Sequence, residues 1–590
     1  MTHPVLRSST LCLCCLALCM AACSKNPTSP TGFAVGIGGS SEAVFASEEL
    51  ATNPIQAWPG KSTTVPDIHG TFSVESFQGT HPDLSHAHQS AEGFRDFLAT
   101  WYPPNFTYRD EQVGTWAYHD LEGSDNWDLW SFEGVDRGID AVMVVFNSSY
   151  GSLSDDGVFS FALGESWQGR GWNARTDSMS IGGNDGDFGD ERNRYIFWDA
   201  GRSVTWSGDR NPYDTWARSA NGVRMIFGYD DDPLDSPISG QFFWEEWSKG
   251  KPLTNAFLDA SWRVDTDQSP CVVAFGATIA EAQTIKETEY QMSWTPVESA
   301  AAAWRWYYTA KTVNPEKQAA LSDVDVPGEV ATRLIRKRGN SSNEVMDIAR
   351  SVGIHIADER MIQDRPFGLR RVVTESSTLT VDSDGDYELR INRPTGKTGG
   401  APAGDDESLV ARARQIVEQF GLAGNSDYRF NDMRYLAENQ ADVSSAPGEA
   451  RIVERTVVFD QVIGDLAFID PDAGRLELTF SADDDQLVGI RSTVREVIPT
   501  YEKATEETPG RSLDELRSIA LHSLTRSPVP GPTGSPKSVE RLEIDETSER
   551  IGYRIIDGHA VPMYRAILSH PNQATGKRRE AVVPLAGVVQ

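Results

Sequence analysis

Two short apolar segments, each ending in a polar loop that contains glycine, constrain the fold more than any other feature of this sequence. The first is residues 195–198, Tyr-Ile-Phe-Trp, which leads into a turn ending at Gly201. A run of large apolar residues this short is typical of a strand buried on both faces. The second is residues 140–146, which leads into a loop ending at Gly151. In an open α/β sheet ligands bind beyond the carboxyl ends of such strands, so these loops are expected side by side at a functional edge.

The segments around these strands predict an α/β fold. Further strand-like runs occur at residues 223–228 and 271–276, and amphipathic helices are predicted at 90–101 and 239–248. Strands that alternate with helices indicate a mostly parallel sheet flanked by helices. After residue 326 long helical patterns are followed by paired strands, which is typical of α+β modules with antiparallel sheets.

The distribution of tryptophan predicts a domain boundary. All 16 tryptophans lie between Trp58 and Trp306 of the 590 residues, which places a boundary near residues 305–325. The predicted organisation is a signal peptide at 1–22, a flexible tether at 23–66, an α/β domain at 67–310, a helix–hairpin unit at 326–400 that begins with a helix over 328–352, and further α+β modules at 405–500 and 511–590.

The first residues resemble a bacterial lipoprotein signal. Arg7 supplies a positive charge, residues 11–20 are apolar, and Met-Ala-Ala precedes Cys23. The resemblance implies that Cys23 is diacylated and anchors the chain to the cell envelope. Under the sorting rule of such proteins, Ser24 implies the outer membrane. The alternative is an ordinary cleaved signal peptide.

Charge and cysteine content argue against a nucleic-acid partner and against an internal disulfide. The net charge of −32 argues against a nucleic-acid partner, because phosphate contacts need clustered Lys and Arg. Cleavage before Cys23 leaves Cys271 as the one other cysteine, so no internal disulfide is expected. Cys271 lies in an apolar run and is expected to be a buried, inert thiol.

The order of motifs in residues 95–300 resembles the caspase and gingipain-like fold of cysteine peptidases, and is most similar to an uncharacterised bacterial family in that group. The resemblance is carried by Tyr150-Gly151, by Asp-Ala-Gly-Arg at 199–202, by the strand at 223–228, by Gly-Gln-Phe-Phe at 240–243 and by Lys-Gly-Lys-Pro-Leu-Thr-Asn-Ala at 249–256. In active members a His ends one strand and a Cys nucleophile ends the next.

This sequence departs from that pattern at both catalytic positions. Tyr150 stands where the resemblance places the His, and Gly201 where it places the Cys. The implied domain is therefore catalytically degenerate and binds an unknown peptide or protein ligand. The nearby hydroxyls that would replace the missing nucleophile belong to Ser148, Ser149 and Ser203. The predicted ligand-binding residues are Asn147, Ser149, Tyr150, Gly151, Asp199, Gly201 and Arg202.

An alternative function is an envelope hydrolase acting on a glycan or a peptide. Tryptophans at 127, 130, 167, 172, 206 and 216 surround the two loops and would line an aromatic cleft, although core packing is the simpler interpretation. Asp128 and Asp199 would serve as acid and base on a glycan. A peptidase with an unrecognised nucleophile is the third reading.

Two segments carry potential metal ligands, although no cofactor is required by the prediction. The acidic loop 182–191 offers Asp185, Asp187 and Asp190 as candidate Ca²⁺ ligands, but it lacks the bidentate Glu of a complete calcium loop. His81, His86 and His88 with Asp83 form a pattern that would suit zinc, with a solvated loop as the alternative.

Residues 454–491 resemble PepSY-like modules, which accompany secreted peptidases as propeptide or inhibitory domains. The likeness is carried by Val-Val-Phe-Asp-Gln-Val-Ile-Gly at 457–464 and the strands that follow.

Overall fold

The computed structural model describes residues 53–57, 59, 67–78, 80–119, 131–132, 135–136, 138–179, 181, 192–208, 210–309, 327, 329–392, 404–424, 426–498, 508–524, 542–569 and 577–586. The predicted signal peptide with Cys23, the acid Asp128, and the calcium candidates Asp185, Asp187 and Asp190 lie outside these residues. Within the described ranges, no helix combines the length and the apolar character needed to cross a bilayer.

Eight α-helices occur in the described residues. They are α1 (Ala87–Leu98), α2 (Pro212–Trp216), α3 (Ser239–Ser248), α4 (Leu253–Val264), α5 (Ile279–Thr288), α6 (Ser342–Ser351), α7 (Asp406–Phe420) and α8 (Leu513–Leu524).

The strands fall into two groups along the chain. The first group is β1 (His69–Ser73), β2 (Phe106–Arg109), β3 (Ser131–Phe132), β4 (Val135–Asp136), β5 (Val144–Ser148), β6 (Gly151–Leu153), β7 (Phe159–Ala162), β8 (Asn173–Arg175), β9 (Tyr195–Asp199), β10 (Met225–Tyr229), β11 (Pro270–Gly276) and β12 (Ala301–Thr309). The second group is β13 (Glu329–Val330), β14 (Arg333–Arg336), β15 (Ile362–Asp364), β16 (Arg370–Val373), β17 (Ser377–Val381), β18 (Tyr387–Ile391), β19 (Asp427–Asp442), β20 (Arg451–Ile463), β21 (Leu466–Ala467), β22 (Arg475–Ser481), β23 (Leu487–Ser492), β24 (Glu496–Val497), β25 (Thr508–Pro509), β26 (Glu543–Ile556), β27 (His559–Ser569) and β28 (Arg579–Pro584).

The fold is α/β and is built on a large mixed sheet of 16 strands. Strands β2, β1, β5, β9 and β10 are parallel neighbours in that order. The strand predicted at 271–276 is present as β11, which pairs antiparallel with β10, so the sheet is mixed and parallel only in part. Two helices, α3 and α4, connect these strands. The second helix returns the chain to the carboxyl end of β10, so β11 must run in the opposite direction.

The large sheet continues past the first strand group. Strand β12 pairs antiparallel with β19 from Ala301 opposite Asp442 to Thr309 opposite Arg434. From β19 the sheet extends through β20, β22, β23, β18, β17, β16 and β15. The proposed domain boundaries stay a prediction. Strands β26, β27 and β28 belong to a second sheet with β14 and β24.

The predicted helix over 328–352 is wrong in its first half. The helix there is α6, which begins after Ser341, whose hydroxyl accepts a hydrogen bond from the Glu344 amide. The residues before it form β13 and β14, and β14 pairs with β27 and β24. Pairing with strands more than 150 residues away therefore overrides the local helical pattern.

A close contact between α1 and α3 places a side chain of α1 at the carboxyl edge of the parallel strands. A Cβ at Gly240 would overlap the carbonyl oxygen of Ser90, so only glycine permits the two helices to approach this closely. Phe94 and Trp244 pack across the contact with ring centroids 5.0 Å apart. The approach brings the Ser90 hydroxyl within 3.0 Å of Asp199 Oδ2 at the end of β9.

Candidate functional site

The two strand-end loops lie side by side, as the sequence predicts. Ser148, the last residue of β5, is the register partner of Asp199, the last residue of β9. Beyond the strands the loop backbones touch, because a Cβ at Gly151 would overlap the carbonyl oxygen of Gly201. The two positions that the peptidase resemblance assigns to a catalytic dyad are therefore close in space.

The position of Gly201 is filled from the neighbouring loop. A Cβ at Gly201 would overlap Oδ1 of Asp232, so the space above this glycine contains the Asp232 carboxylate. The next residue, Arg202, has a φ of 56°, a left-handed conformation that is uncommon outside glycine. Its amide donates to the Asp231 carbonyl at 3.0 Å, which fixes the turn.

Tyr150, at the other dyad position, is 5% exposed. Its hydroxyl accepts a hydrogen bond from Arg579 Nη2 at 3.3 Å, and its ring stacks on His81 with centroids 5.6 Å apart. The contact with Arg579 comes from the last strand of the chain, which no feature of the sequence indicates.

The remaining predicted polar residues of these loops are buried, and their side chains donate hydrogen bonds to main-chain carbonyl groups. Asn147 donates to the Phe197 carbonyl at 3.1 Å and accepts from the Tyr118 hydroxyl at 3.0 Å. Ser149 donates to the Ala162 carbonyl at 2.8 Å, and Ser203 donates to the Ala200 carbonyl at 2.9 Å. Their side chains join structural elements and do not face solvent.

Asp199 is the centre of a buried polar cluster that includes Lys577. The Lys577 Nζ atom lies 2.6 Å from Asp199 Oδ2 and donates to Ser148 Oγ at 2.8 Å. Ser148 Oγ and Ser90 Oγ also donate to Asp199 Oδ2, at 2.8 and 3.0 Å. Asp235 Oδ1 lies 4.0 Å from the ammonium group. This cluster neutralises the one acid predicted at the strand ends.

The segment that carries Lys577 lies along the loop after β10. Leu234 and Arg578 form a parallel bridge, in which the Asp235 amide donates to the Arg578 carbonyl at 2.8 Å and the Arg578 amide donates to Pro233 at 2.9 Å. Arg578 also reaches the Asp232 carbonyl at 2.8 Å and Asp265 Oδ2 at 3.0 Å. No local pattern predicts these contacts, because 378 residues separate Asp199 from Lys577.

An open cavity of about 580 Å³ lies next to this cluster, beyond the ends of β9 and β10. It is lined by Leu153, Ser154, Asp155, Arg202, Thr205, Ser207, Arg210, Asp230, Asp231, Asp232 and Arg578. The lining thus combines three guanidinium groups with four carboxyl groups, which suits a ligand that presents charges of both signs. Of the predicted ligand-binding residues, Arg202 lines this cavity, and its guanidinium donates no hydrogen bond within the described part of the chain.

One acid of the cavity titrates near neutrality. Burial raises the pKa of Asp231 to about 7, the neighbouring Asp230 and Asp232 act in the same direction, and Arg578 opposes them. Asp230 is held by the amides of Trp206 and Ser207, at 2.9 and 3.2 Å. The net charge of the cavity therefore changes in the physiological pH range.

The histidines of the predicted zinc pattern contact different partners. His88 Nδ1 lies 2.8 Å from Ser73 Oγ, and its Nε2 lies 3.1 Å from Asp110 Oδ2. His86 bonds to Gln89, and His81 to Thr80. The chain from Ser73 through His88 to Asp110 has the composition of a serine-hydrolase triad. Ser73 is 1% exposed, however, so its hydroxyl is not accessible to a substrate.

Of the predicted cleft tryptophans that the structure describes, Trp216 is buried and Trp167, Trp172 and Trp206 are half-buried. Trp216 is fully buried and donates to the Ser203 carbonyl at 2.7 Å, and Trp206 stacks on Trp306 with centroids 4.7 Å apart. Trp127 and Trp130 lie outside the described residues. Cys271 is buried as expected, and burial raises the pKa of its thiol well above the usual range.

The profile of a protein domain of unknown function, DUF6345, matches residues 71–310. The matched stretch begins within β1 and ends directly after β12, so it contains all the predicted ligand-binding residues and every residue of the cavity lining except Arg578. No curated protein matches the chain.

Proposed function

We propose that this chain is a lipid-anchored bacterial envelope protein whose α/β domain is a catalytically degenerate relative of caspase-like and gingipain-like peptidases. In this proposal the domain binds a peptide that carries a carboxylate, and the later α+β modules are PepSY-like. The observation that carries the proposal is the open cavity of about 580 Å³ at the strand ends, with Arg202 on its wall.

The size and chemistry of the cavity suit a peptide. Ligand sites of proteins commonly enclose about 300–1,000 Å³, and a small number of precisely placed polar groups in their lining orient the ligand. Arg202 acts electrostatically on Asp230, but a guanidinium that donates no hydrogen bond within the described residues can bind a carboxylate through two parallel hydrogen bonds. The aspartates that line the same cavity are acceptors for peptide N–H groups. Arg202 is therefore assigned to the ligand carboxylate.

Binding without cleavage is supported by the side chains near the dyad positions. Gly201 offers no nucleophile, and Tyr150 accepts a hydrogen bond from Arg579. Ser148, Ser149 and Ser203 are each 0% exposed and hydrogen-bonded. Asp199 is buried and paired with Lys577, so a substrate does not reach it as an acid or base.

The test measures binding of a peptide library in two forms, with a free carboxyl terminus and with the terminus amidated. The free form should bind more tightly. Arg202→Gln should weaken its binding by about tenfold or more, since hydrogen bonds to charged groups contribute about 1.5–3 kcal/mol.

The matched control is Arg218→Gln, which changes an exposed arginine that does not line the cavity. It should leave binding unchanged. Equal binding of the free and amidated forms, or equal effects of the two substitutions, would contradict the assignment of Arg202. Release of cleaved peptide by the wild-type protein would contradict the claim that the domain is catalytically degenerate.

A further inference from the structure

We propose that the cluster around Asp199 is a binding pocket for the lysine side chain of an extended basic peptide, and that Lys577 is its internal occupant. The pocket, called here the lysine pocket, consists of Ser90, Ser148, Asp199 and Asp235. The inference rests on the proposed function in one respect, namely that the strand ends bind peptides. It adds a second subsite, of opposite charge preference to the Arg202 cavity, and a competitor within the chain.

All four residues of the lysine pocket come earlier in the sequence than Lys577, which occupies it. Ser90 belongs to α1, Ser148 ends β5, Asp199 ends β9, and Asp235 lies in the loop after β10. The Lys577 ammonium contacts the Asp199 carboxylate and the Ser148 hydroxyl, Asp235 lies 4.0 Å away, and Ser90 donates to Asp199; the Lys577 side chain is 0% exposed. This geometry selects a primary ammonium at the end of a long alkyl chain, because a buried carboxylate requires a close cationic partner.

The backbone around Lys577 resembles a bound peptide. Residue 578 forms its bridge with the loop at residue 234 through two main-chain hydrogen bonds, the mode by which extended peptides commonly add to an exposed edge. Arg578 and Arg579 on the same segment reach carbonyl oxygens of Asp232 and Asp83. The segment thus presents Lys-Arg-Arg to an acidic surface in an extended form.

The internal occupant leaves part of the lysine pocket unused. Asp199 Oδ1 is buried and has no hydrogen-bond partner among the described residues, although Asp199 is only 3% exposed. An unsatisfied buried acceptor is destabilising, so a ligand that also reaches this atom would bind with an advantage over Lys577. Because the internal segment is tethered, it competes as if present at roughly millimolar concentration. The wild-type protein should therefore bind external basic peptides weakly.

The experiment uses the full chain and the blocked peptide acetyl-Ala-Lys-Arg-Arg-Ala-amide, which carries the sequence of residues 577–579. The matched control peptide has norleucine in place of lysine. Both ends are blocked, so no free carboxylate is available to Arg202. Proteins are the wild type, Lys577→Ala, and Lys577→Ala combined with Asp199→Asn.

The affinity of Lys577→Ala for the lysine peptide should be higher than that of the wild type by about tenfold or more. The same variant should bind the norleucine peptide with an affinity lower by about tenfold or more than its affinity for the lysine peptide. Adding Asp199→Asn should remove that preference. Equal binding of the two peptides to Lys577→Ala, or binding of neither, would overturn the proposal and leave Lys577 as a purely structural ion-pair partner.

Hydrogen exchange of the wild type gives a test that does not depend on a variant. The lysine peptide should accelerate exchange of the Arg578 and Asp235 amides, which form the internal bridge, and the norleucine peptide should not. Unchanged exchange at saturating peptide would overturn the proposal. The difference between the lysine and norleucine peptides reports on the lysine pocket, and the effect of Arg202→Gln on the carboxylate peptide reports on the Arg202 cavity, so failure of one subsite can be distinguished from failure of the other.

Discussion

Lys251 is expected to be among the residues on which the stability of this protein depends most. Its Nζ atom lies 2.5 Å from Glu246, 2.7 Å from Asp259 and 2.6 Å from Glu388, and 7% of its side chain is exposed. Two of these acids belong to α3 and α4, and the third belongs to β18 in the second strand group. Lys251→Met keeps all but the terminal atom of the side-chain length and removes the charge that three buried carboxylates share.

The expected loss follows from leaving buried charges without a partner. Removing one member of a buried ion pair costs about 3–5 kcal/mol of unfolding free energy. Arg263 lies 3.0 Å from Glu246, and Arg390 lies 3.6 Å from Asp259, so both still compensate part of the lost charge. We therefore expect the variant to lose about 3–5 kcal/mol of unfolding free energy, the cost of one broken buried pair, although Lys251 contacts three acids.

The loss should depend on pH in a defined direction. Burial pushes the pKa of Glu246 up, but Lys249, Lys251 and Arg263 together hold it well below its usual range, and Asp259 is depressed in the same way. Acids with a depressed pKa stabilise the fold above their unfolded pKa of about 4, and this contribution is lost as pH falls through the folded value. The difference between wild type and variant should be largest at pH 7 and should shrink below about pH 4.

Chemical unfolding followed by tryptophan fluorescence measures this difference, since the 16 tryptophans all precede residue 307. The control is Lys337→Met, whose ammonium lies 2.6 Å from Asp384 but whose side chain is 48% exposed. A surface pair of this kind contributes about 1 kcal/mol or less. The reasoning is refuted if Lys251→Met and Lys337→Met shift the unfolding midpoint by the same amount at pH 7.

Three further predictions concern the anchor, the loop contact and the cavity. Cys23→Ser in the full precursor should prevent acylation and release the protein from membranes, and unchanged partitioning into detergent would contradict the lipoprotein assignment. Gly151→Ala should destabilise the fold by about 1–3 kcal/mol, because its Cβ would overlap the carbonyl oxygen of Gly201, whereas Gly448→Ala, with open space around it, should not change the unfolding midpoint. The raised pKa of Asp231, about 7, means that the folded state holds a proton that the unfolded state has lost, so its ionisation should lower the unfolding free energy between about pH 4 and pH 7. Asp231→Asn should remove that decline, and an identical pH profile for wild type and variant would show that Asp231 does not titrate as described.

Local pattern was enough to locate many elements of this protein. Helix α3 has the predicted bounds, 239–248, and α1 begins and ends three residues earlier than the predicted 90–101. The strand over 195–198 is present as β9, with Asp199 as its last residue. These elements follow from apolar periodicity and from start and stop signals within a few residues of each element. Such local signals do not depend on distant contacts. The neighbouring position of the two loops follows from the same strands, since parallel strands bring their carboxyl ends to one edge.

Only the tertiary structure decided what surrounds that edge. Strand β11 runs antiparallel to β10 because two helices intervene, and β14 replaces the start of a predicted helix because β27 pairs with it. Lys577 reaches Asp199 across 378 residues, and Asp232 fills the space above Gly201. No periodicity encodes such contacts, because a buried charge finds its partner through the packing of whole segments. The sequence thus determined where the strands end, and the fold determined which charges meet there.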